Sequence, residues 1–210
     1  MLKYKIFEFS PFLENTYLLW DDQTGEGMII DPGCYEDFEK TRLDNFISHE
    51  GITVKYLINT HCHLDHIFGN NYIIEKYKPR FLTGAEDIPL LRNAPGQGKM
   101  FGMELKEQIL PIEFLNEESD LTLGEYKVKC LFTPGHSPGE YCLFVESLSI
   151  CFTGDVLFNR GIGRTDLWGG NYDTLMMSIK EKLLTLPDSI IILPGHGEKS
   201  TIGDERIINS

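Results

Sequence analysis

The stretch His61-Cys62-His63-Leu64-Asp65-His66 places four side chains that can bind a metal ion within six residues. Four ligands in so short a span would crowd a single tetrahedral site, so we expect two neighbouring metal ions. Alternate residues of an extended segment face the same side, which predicts that His61 and His63 bind one ion. Asp65 and His66 then turn at the start of the following helix to bind the second.

Three further candidate ligands each follow an apolar, strand-like run and stand beside a glycine. Glycine permits tight turns and close approach of the backbone, which helps separate strand ends to deliver ligands to one spot. Asp155 is a natural bridge, because the two oxygens of a carboxylate can be shared between two cations. The three segments are Thr133-Pro134-Gly135-His136, Phe152-Thr153-Gly154-Asp155 and Pro194-Gly195-His196-Gly197.

Apolar periodicity and turn residues predict one domain over residues 1–210, built from two blocks that each run from strands to a helix. Candidate ligands fall where a strand meets a loop, which is where a rigid sheet usually presents functional groups. Residues 93–102 are rich in glycine and predict an ordinary surface loop, in preference to a mobile lid over the site. Strands are predicted over 3–9, 16–20, 27–30, 54–59, 126–132, 140–145, 149–152 and 190–193, and helices over 36–49, 66–78 and 172–186, with weaker helices within 84–110.

Composition limits the possible partners and the compartment. The chain carries 19 Lys and Arg against 32 Asp and Glu, a net charge of −13 that would repel nucleic acid and anionic membrane surfaces. The amino terminus has no apolar signal-peptide centre, and no apolar run reaches membrane-spanning length. Five cysteines without paired spacing suit reduced thiols, so we expect a cytoplasmic protein.

The HxHxDH motif followed in order by His136, Asp155 and His196 resembles the metallo-β-lactamase-fold hydrolases, over essentially all 210 residues. The resemblance implies an α/β (four-layer α+β) fold, an αββα sandwich of two mixed β-sheets flanked by helices. It implies two divalent metal ions, first of all zinc, with iron or manganese as alternatives. One ion would be held by His61, His63 and His136 and the other by Asp65, His66 and His196, with Asp155 between them.

Within this superfamily, residues 154–158 and 161–166 most resemble the glyoxalase II group, which hydrolyses S-acyl glutathione thioesters. The resemblance implies that Arg164 contacts a substrate carboxylate, for which a guanidinium is well suited, although an ion pair with Asp166 or Asp173 is an equal alternative. Asp65 is interpreted first as a ligand and also as the group that orients or accepts the proton of the nucleophile. The run Gly163-Arg164-Thr165-Asp166 and the chain end resemble short bacterial proteins without the helical domain of full-length glyoxalase II.

Two other functions remain open from the sequence. Persulfide dioxygenases share the fold and a similar Gly-Arg-Thr-Asp run but use one iron, whereas the intact motif around His196 favours a second metal. A non-catalytic metal-binding protein is the other alternative, although His63 stands where such fold relatives usually have a carboxylate. His49 is interpreted as a solvent-exposed residue at a helix end, and Cys62 as a spacer facing away from the metals. Glu140 occupies a position where a second histidine is common in the family.

Overall fold

The first β-sheet of the protein carries the amino-terminal strands and runs into the histidine motif. Residues 1–208 are described by a computed structural model, with side chains described as far as Ile207. The first three strands are antiparallel neighbours and the remaining strands are parallel, in the order β1-β2-β3-β4-β5-β6. They are β1 (Leu2–Phe9), β2 (Glu14–Asp21), β3 (Glu26–Ile30), β4 (Thr53–Ile58), β5 (Arg80–Thr83) and β6 (Glu113–Phe114).

The second β-sheet carries the later candidate ligands. Its order is β14-β13-β10-β9-β8-β7, with one parallel pair, β10 and β13, among antiparallel neighbours. Its strands are β7 (Leu121–Leu123), β8 (Tyr126–Phe132), β9 (Tyr141–Val145), β10 (Ile150–Gly154), β13 (Ile191–Pro194) and β14 (Ser200–Thr201). A short hairpin of β11 (Leu157–Phe158) and β12 (Gly161–Ile162) follows β10.

Within residues 1–208, six α-helices flank the sheets: α1 (Asp37–Glu50), α2 (Asn70–Tyr77), α3 (Ile88–Arg92), α4 (Ala94–Met100), α5 (Tyr172–Ser178) and α6 (Ile202–Ile208). Helix α1 ends at Gly51, whose φ of 65° is the left-handed conformation that glycine adopts readily at a helix end. The Asn171 side chain caps α5 by accepting a hydrogen bond of 2.9 Å from the Thr174 N–H. Within residues 1–208, every helix is too short or too polar to cross a bilayer.

Successive side chains of a strand point to opposite faces of its sheet, and the buried apolar residues accordingly form three clusters. One lies between the sheets and one on the outer face of each sheet. On β2, for example, Leu19 packs between the two sheets, whereas Leu18 packs against α1 to α3 on the outer face of the first sheet. Leu175 and Ile202 cover the outer face of the second sheet with α5 and α6. The predicted αββα sandwich is therefore confirmed.

The prediction of weaker helices within residues 84–110 is confirmed by α3 and α4, whereas the prediction of a surface loop over residues 93–102 is wrong, because residues 94–100 form α4. Pro95 lies in the first turn, where a missing N–H costs nothing, and this favours the helix despite the glycines. Gln97 and Gly98 are buried, and a Cβ on Gly98 would lie 2.6 Å from the carbonyl oxygen of Met103. The predicted helix over 66–78 begins later, at Asn70, after a 3-10 turn at Leu64–His66.

Candidate metal centre

The seven predicted ligands converge where four strands end. The histidine motif follows β4, His136 follows β8, Asp155 follows β10 and His196 follows β13. Hydrogen bonds between the sheets fix these ends relative to one another: the Tyr17 hydroxyl donates to the Pro194 carbonyl (2.6 Å) and the Tyr141 N–H to the Thr60 carbonyl (2.9 Å). The ligands are therefore presented by the two sheets together.

The predicted ligands form two compact clusters, and Asp31 makes a further such group with His61 and His66. His61, His63 and His136 form the first, with one ligand atom from each within 4.8 Å of the others. Nδ1 of His63 lies only 2.8 Å from Nε2 of His136, so both nitrogens point to one spot. Asp65, His66 and His196 satisfy the same 4.8 Å limit in the second cluster.

Asp155 lies between the two clusters. Its Oδ2 is 3.6 Å from Nε2 of His136 and 3.7 Å from Nε2 of His196, and its Oδ1 is 3.5 Å from Nε2 of His66. One carboxylate therefore faces ligands of both clusters, which is the arrangement that a bridging ligand requires.

Several buried polar atoms in the clusters lack a hydrogen-bond partner among the described residues. They include Nε2 of His61, Nε2 of His66 and Oδ1 of Asp155. Unpaired buried polar atoms are costly, and cations bound between them would satisfy them. The imidazole and carboxylate donors fit two divalent ions such as zinc, iron or manganese.

Nδ1 of three of these histidines forms a hydrogen bond that orients the ring, and Nδ1 of His66 lies at ion-pair distance from a carboxylate. Such outer contacts are typical of metal-binding histidines. The contacts of Nδ1 are His61 with Thr60 Oγ1 (3.1 Å), His66 with Asp31 Oδ2 (3.1 Å), His136 with the Arg164 carbonyl (2.8 Å) and His196 with the Phe12 carbonyl (3.1 Å).

The two clusters differ in their protonation. Burial and the neighbouring imidazoles lower the pKa of His61 well below its usual value, and burial with His136 lowers the pKa of His63 to about 3. Both rings are therefore neutral and can bind a cation without releasing a proton. Burial also lowers the pKa of His66, but Asp155 and Asp65 outweigh it, so its pKa is raised.

Asp87 is a functional residue that sequence reasoning missed. This buried carboxylate accepts hydrogen bonds from the Cys62 N–H (2.8 Å), the Gly139 N–H (2.6 Å) and the Ser137 hydroxyl (2.9 Å). Cys62 lies between two ligands of the first cluster, and Ser137 follows the third. Asp87 therefore joins the two loops that form this cluster, and burial raises its pKa to about 6.

Gln97 of α4 holds the same histidine loop from the other side. Its Nε2 donates to the carbonyl oxygens of Cys62 (2.9 Å) and Leu90 (3.0 Å). The Cys62 backbone is thus fixed at both its N–H and its carbonyl, while its side chain lies 3.3 Å from Thr83 Oγ1 in the core.

Glu140 was noted only for replacing a histidine common in the family. It is completely buried, and its Oε1 accepts a hydrogen bond of 2.9 Å from the Asp155 N–H. The same oxygen lies 3.5 Å from Nδ1 of His61. Glu140 therefore supports one ligand of the first cluster together with the shared carboxylate.

Two glycines are required by the geometry of the centre. A Cβ on Gly195 would collide with Oδ1 of Asp155 and lie 2.7 Å from Cε1 of His66. Gly154, directly before Asp155, has a φ of 48°, which favours glycine.

The remaining predicted residues lie around this centre or away from it. Arg164 lines the cavity described below, and its guanidinium forms two hydrogen bonds of 2.7 Å with the carboxylate of Asp166. His49 is exposed beside Glu50 and takes no part in the site.

A cavity of about 520 Å³ opens over both clusters. Ligands from both clusters and Asp155 line it, and its other walls are largely apolar. The non-ligand residues are Phe12, Leu64, Pro89, Leu90, Asn93, Gln97, Met100, Phe101, Arg164, Leu167 and Trp168.

Known proteins resemble the chain over almost its whole length. The hydroxyacylglutathione hydrolase GloC of Haemophilus influenzae is 38% identical over 207 residues, 98% of this chain and 95% of GloC. A more distant relative, the mitochondrial persulfide dioxygenase ETHE1 of Mus musculus, is 31% identical over 198 residues, 92% of this chain and 69% of ETHE1.

Two solved structures are similar in fold and sequence. BLEG-1 B3 metallo-beta-lactamase superposes with a TM-score of 0.89 at 32% identity, covering 99% of this chain and 98% of that one. TTHA1623 in a di-iron-bound form gives a TM-score of 0.85 at 30% identity, with 98% of both chains covered. Residues 10–196 match the Metallo-beta-lactamase superfamily. The ordered ligands, the two clusters and these matches agree, and the chain belongs to the metallo-beta-lactamase superfamily.

Proposed function

We propose that this protein is a metal-dependent thioesterase of the glyoxalase II type, which hydrolyses S-acyl glutathione or related thioesters. The observation that carries the proposal is the pair of ligand clusters sharing Asp155 at the floor of a cavity. The 38% identity with a hydroxyacylglutathione hydrolase supports the choice of substrate.

The first cluster and the second cluster would each hold one divalent ion, with zinc as the proposed metal. Ions bound at such a pair of sites lower the pKa of water towards about 7 and polarise a carbonyl oxygen. Asp155 orients both clusters, and its N–H bond to Glu140 keeps its carboxylate in place.

Asp65 has the second proposed role, as the group that orients the nucleophile and accepts its proton. Burial would raise its pKa, but His66 and His196 outweigh burial and lower it, so the carboxylate is ionised at neutral pH. It lines the cavity, and its Oδ2 lies 3.1 Å from Nε2 of His196. An ionised carboxylate at the cavity floor can accept a proton there.

Arg164 is proposed to bind a carboxylate of the thiol part of the substrate. Its exposed guanidinium is paired with Asp166, also exposed, and such pairs contribute little stability. A substrate carboxylate can therefore replace Asp166 at small cost. We further propose a cytoplasmic protein, in agreement with the five buried free cysteines.

The proposal is tested by assaying the zinc-loaded protein with S-lactoylglutathione. We expect hydrolysis, and we expect Asp155→Ala to lower kcat/KM by a factor of about a thousand or more, since several kcal/mol of transition-state stabilisation depend on the centre. Asp120→Ala, an exposed carboxylate outside the site, is the matched control and should keep full activity. Absence of thioesterase activity in the zinc-loaded protein would refute the proposal.

The second candidate is a persulfide dioxygenase, favoured by the 31% identity with mouse ETHE1. Against it stands the complete second cluster of Asp65, His66 and His196. One iron per chain together with oxygen uptake on glutathione persulfide would establish this alternative in place of the thioesterase.

A further inference from the structure

We infer that the acyl group of the substrate is apolar and large, an aryl ring or a chain of several carbons, and that it binds against Phe12, Met100 and Phe101. The inference rests on the proposed thioesterase function and narrows its substrate class. These three residues are called the acyl wall below.

The acyl wall is apolar although much of it faces solvent. Met100 is 74% exposed and Phe101 is 44% exposed, and Trp168 across the cavity is 58% exposed. Large apolar side chains clustered at a cavity mouth are typical of ligand-binding surfaces, because an apolar ligand removes them from water.

The cavity has two chemically different ends. The Phe12 carbonyl contacts Nδ1 of His196 (3.1 Å), and the Phe12 ring packs edge-on against Phe101 with 5.6 Å between centroids. At the other end, the Arg164 carbonyl contacts Nδ1 of His136 (2.8 Å). Phe12 of the acyl wall therefore adjoins the second cluster, whereas the Arg164 backbone adjoins the first.

This polarity fixes the orientation of a thioester. Of the described residues that line the cavity, Arg164 alone carries a fixed positive charge, so a carboxylate of the thiol part belongs at its end. The carbonyl carbon lies over the shared centre, and the acyl group then points to the acyl wall.

A small hydroxyacyl group would bury little of the apolar surface of the acyl wall. Gln97 is the amide side chain of α4 that lines the cavity, and its Nε2 already donates to the Cys62 and Leu90 carbonyls. Those bonds also fix α4 to the histidine loop, so Met100 and Phe101 are held close to the metal centre. A phenyl or longer alkyl group would bury them, with a gain that grows with the apolar area removed from water.

The test compares two thioesters of the same thiol with the zinc-loaded full chain. S-mandeloylglutathione and S-lactoylglutathione both carry a 2-hydroxyacyl group and differ in a phenyl against a methyl group. We expect kcat/KM to be higher for the mandeloyl ester by about tenfold or more. Met100→Ala and Phe101→Ala should each reduce this ratio by at least about threefold.

Ile112→Ala is the matched control, because Ile112 is 96% exposed and lies outside the cavity lining. It should leave the ratio and both activities unchanged. Because Met100 is mostly exposed, we expect Met100→Ala to fold normally. Circular dichroism checks that Phe101→Ala is folded.

The possible failures are distinguishable. Hydrolysis of both esters at equal kcat/KM would overturn the inference and leave the proposed thioesterase intact. A mandeloyl preference that persists in Met100→Ala and Phe101→Ala would overturn the acyl wall as its cause. Hydrolysis of neither ester would overturn the proposed function and the inference with it.

Discussion

Some residues of this centre bind no metal but are constrained by the small space beside the ligands. Gly195 shows this most clearly, because a Cβ there would collide with Asp155 and with His66. We predict that Gly195→Ala keeps the fold and weakens metal binding by at least about tenfold, the usual effect of displacing a ligand's support.

Metal titration with a competing chelator measures this change. The control is Gly161→Ala. A Cβ added at Gly161 would lie 3.9 Å from Cβ of Phe158, which is an ordinary van der Waals contact. Equal affinities of the two variants would contradict the crowding that the structure shows around Gly195.

Glu140 gives a second prediction at this scale. Glu140→Ala removes the acceptor of the buried Asp155 N–H and should lower the free energy of unfolding by about 1–3 kcal/mol. Glu140→Gln keeps a carbonyl oxygen at that place and should retain most of the stability. Denaturant unfolding of both variants checks this, and an equal loss in both would show that the acceptor is not what matters.

The ligands could be predicted from the sequence, but the residues that orient them could not. His61, His63, Asp65 and His66 lie in one recognisable motif, whereas their supports reach them only through the fold. Asp31 is 29 residues from Thr60 along the chain, and Asp87 is 25 residues from Cys62. A single aspartate gives no periodic signal, so these contacts are visible only in three dimensions.

Among the elements, the segment from Asp87 through α4 was predicted only as weak helix, and its contacts with the histidine loop could not be predicted from the sequence. Glycines at 96, 98 and 102 predicted a loop, since glycine is a poor helix former. Tertiary contacts override that preference, because Gln97 and Gly98 are buried and the Gln97 amide binds the histidine loop. The strands were better predicted, since alternation and apolar runs directly reflect burial on the two faces.

Asp87 provides the test at the element scale. Asp87→Asn replaces one acceptor oxygen by an NH₂ group that must face an N–H or hydroxyl donor. We predict a loss of about 1–3 kcal/mol in the free energy of unfolding and weaker metal binding, by about tenfold or more.

Unfolding and metal titration of the purified variant measure both effects. Glu86→Gln, an exposed neighbour on the same 3-10 turn, is the control. If Asp87→Asn binds metal as tightly as Glu86→Gln does, Asp87 does not position the first cluster.

At the scale of the whole molecule, the centre couples metal binding to stability. Without metal, burial lowers the pKa of His66, but the charges of Asp155 and Asp65 outweigh it and raise that pKa. Burial also lowers the pKa of His196, but the hydrogen bond of His196 with Asp65 and the charge of Asp155 outweigh it and raise that pKa as well. Burial raises the pKa of Glu14 and Glu140. A group whose pKa is higher in the folded than in the unfolded protein stabilises the fold fully when the pH is below its unfolded-state pKa. This contribution is lost as the pH rises through its folded-state pKa.

We therefore predict that the melting temperature of the metal-stripped protein falls as the pH rises above about 6.5, the ordinary pKa of histidine. The lowered pKa values of His61 and His63 make the stability of the fold rise with pH, but only below the ordinary pKa of histidine. These two residues therefore do not oppose the fall at higher pH. Bound metal supplies the positive charge that the protons supplied, so the zinc-loaded protein should show a shallower dependence. A constant or rising melting temperature in the stripped protein would contradict this electrostatic picture.

We expect the two clusters joined by Asp155 to hold two metal ions. Anomalous X-ray scattering at the zinc edge from crystals of the zinc-loaded protein would locate them. We predict two peaks, one among His61, His63 and His136 and one among Asp65, His66 and His196, with Asp155 between them. A single peak, or peaks away from these clusters, would contradict the two-metal centre.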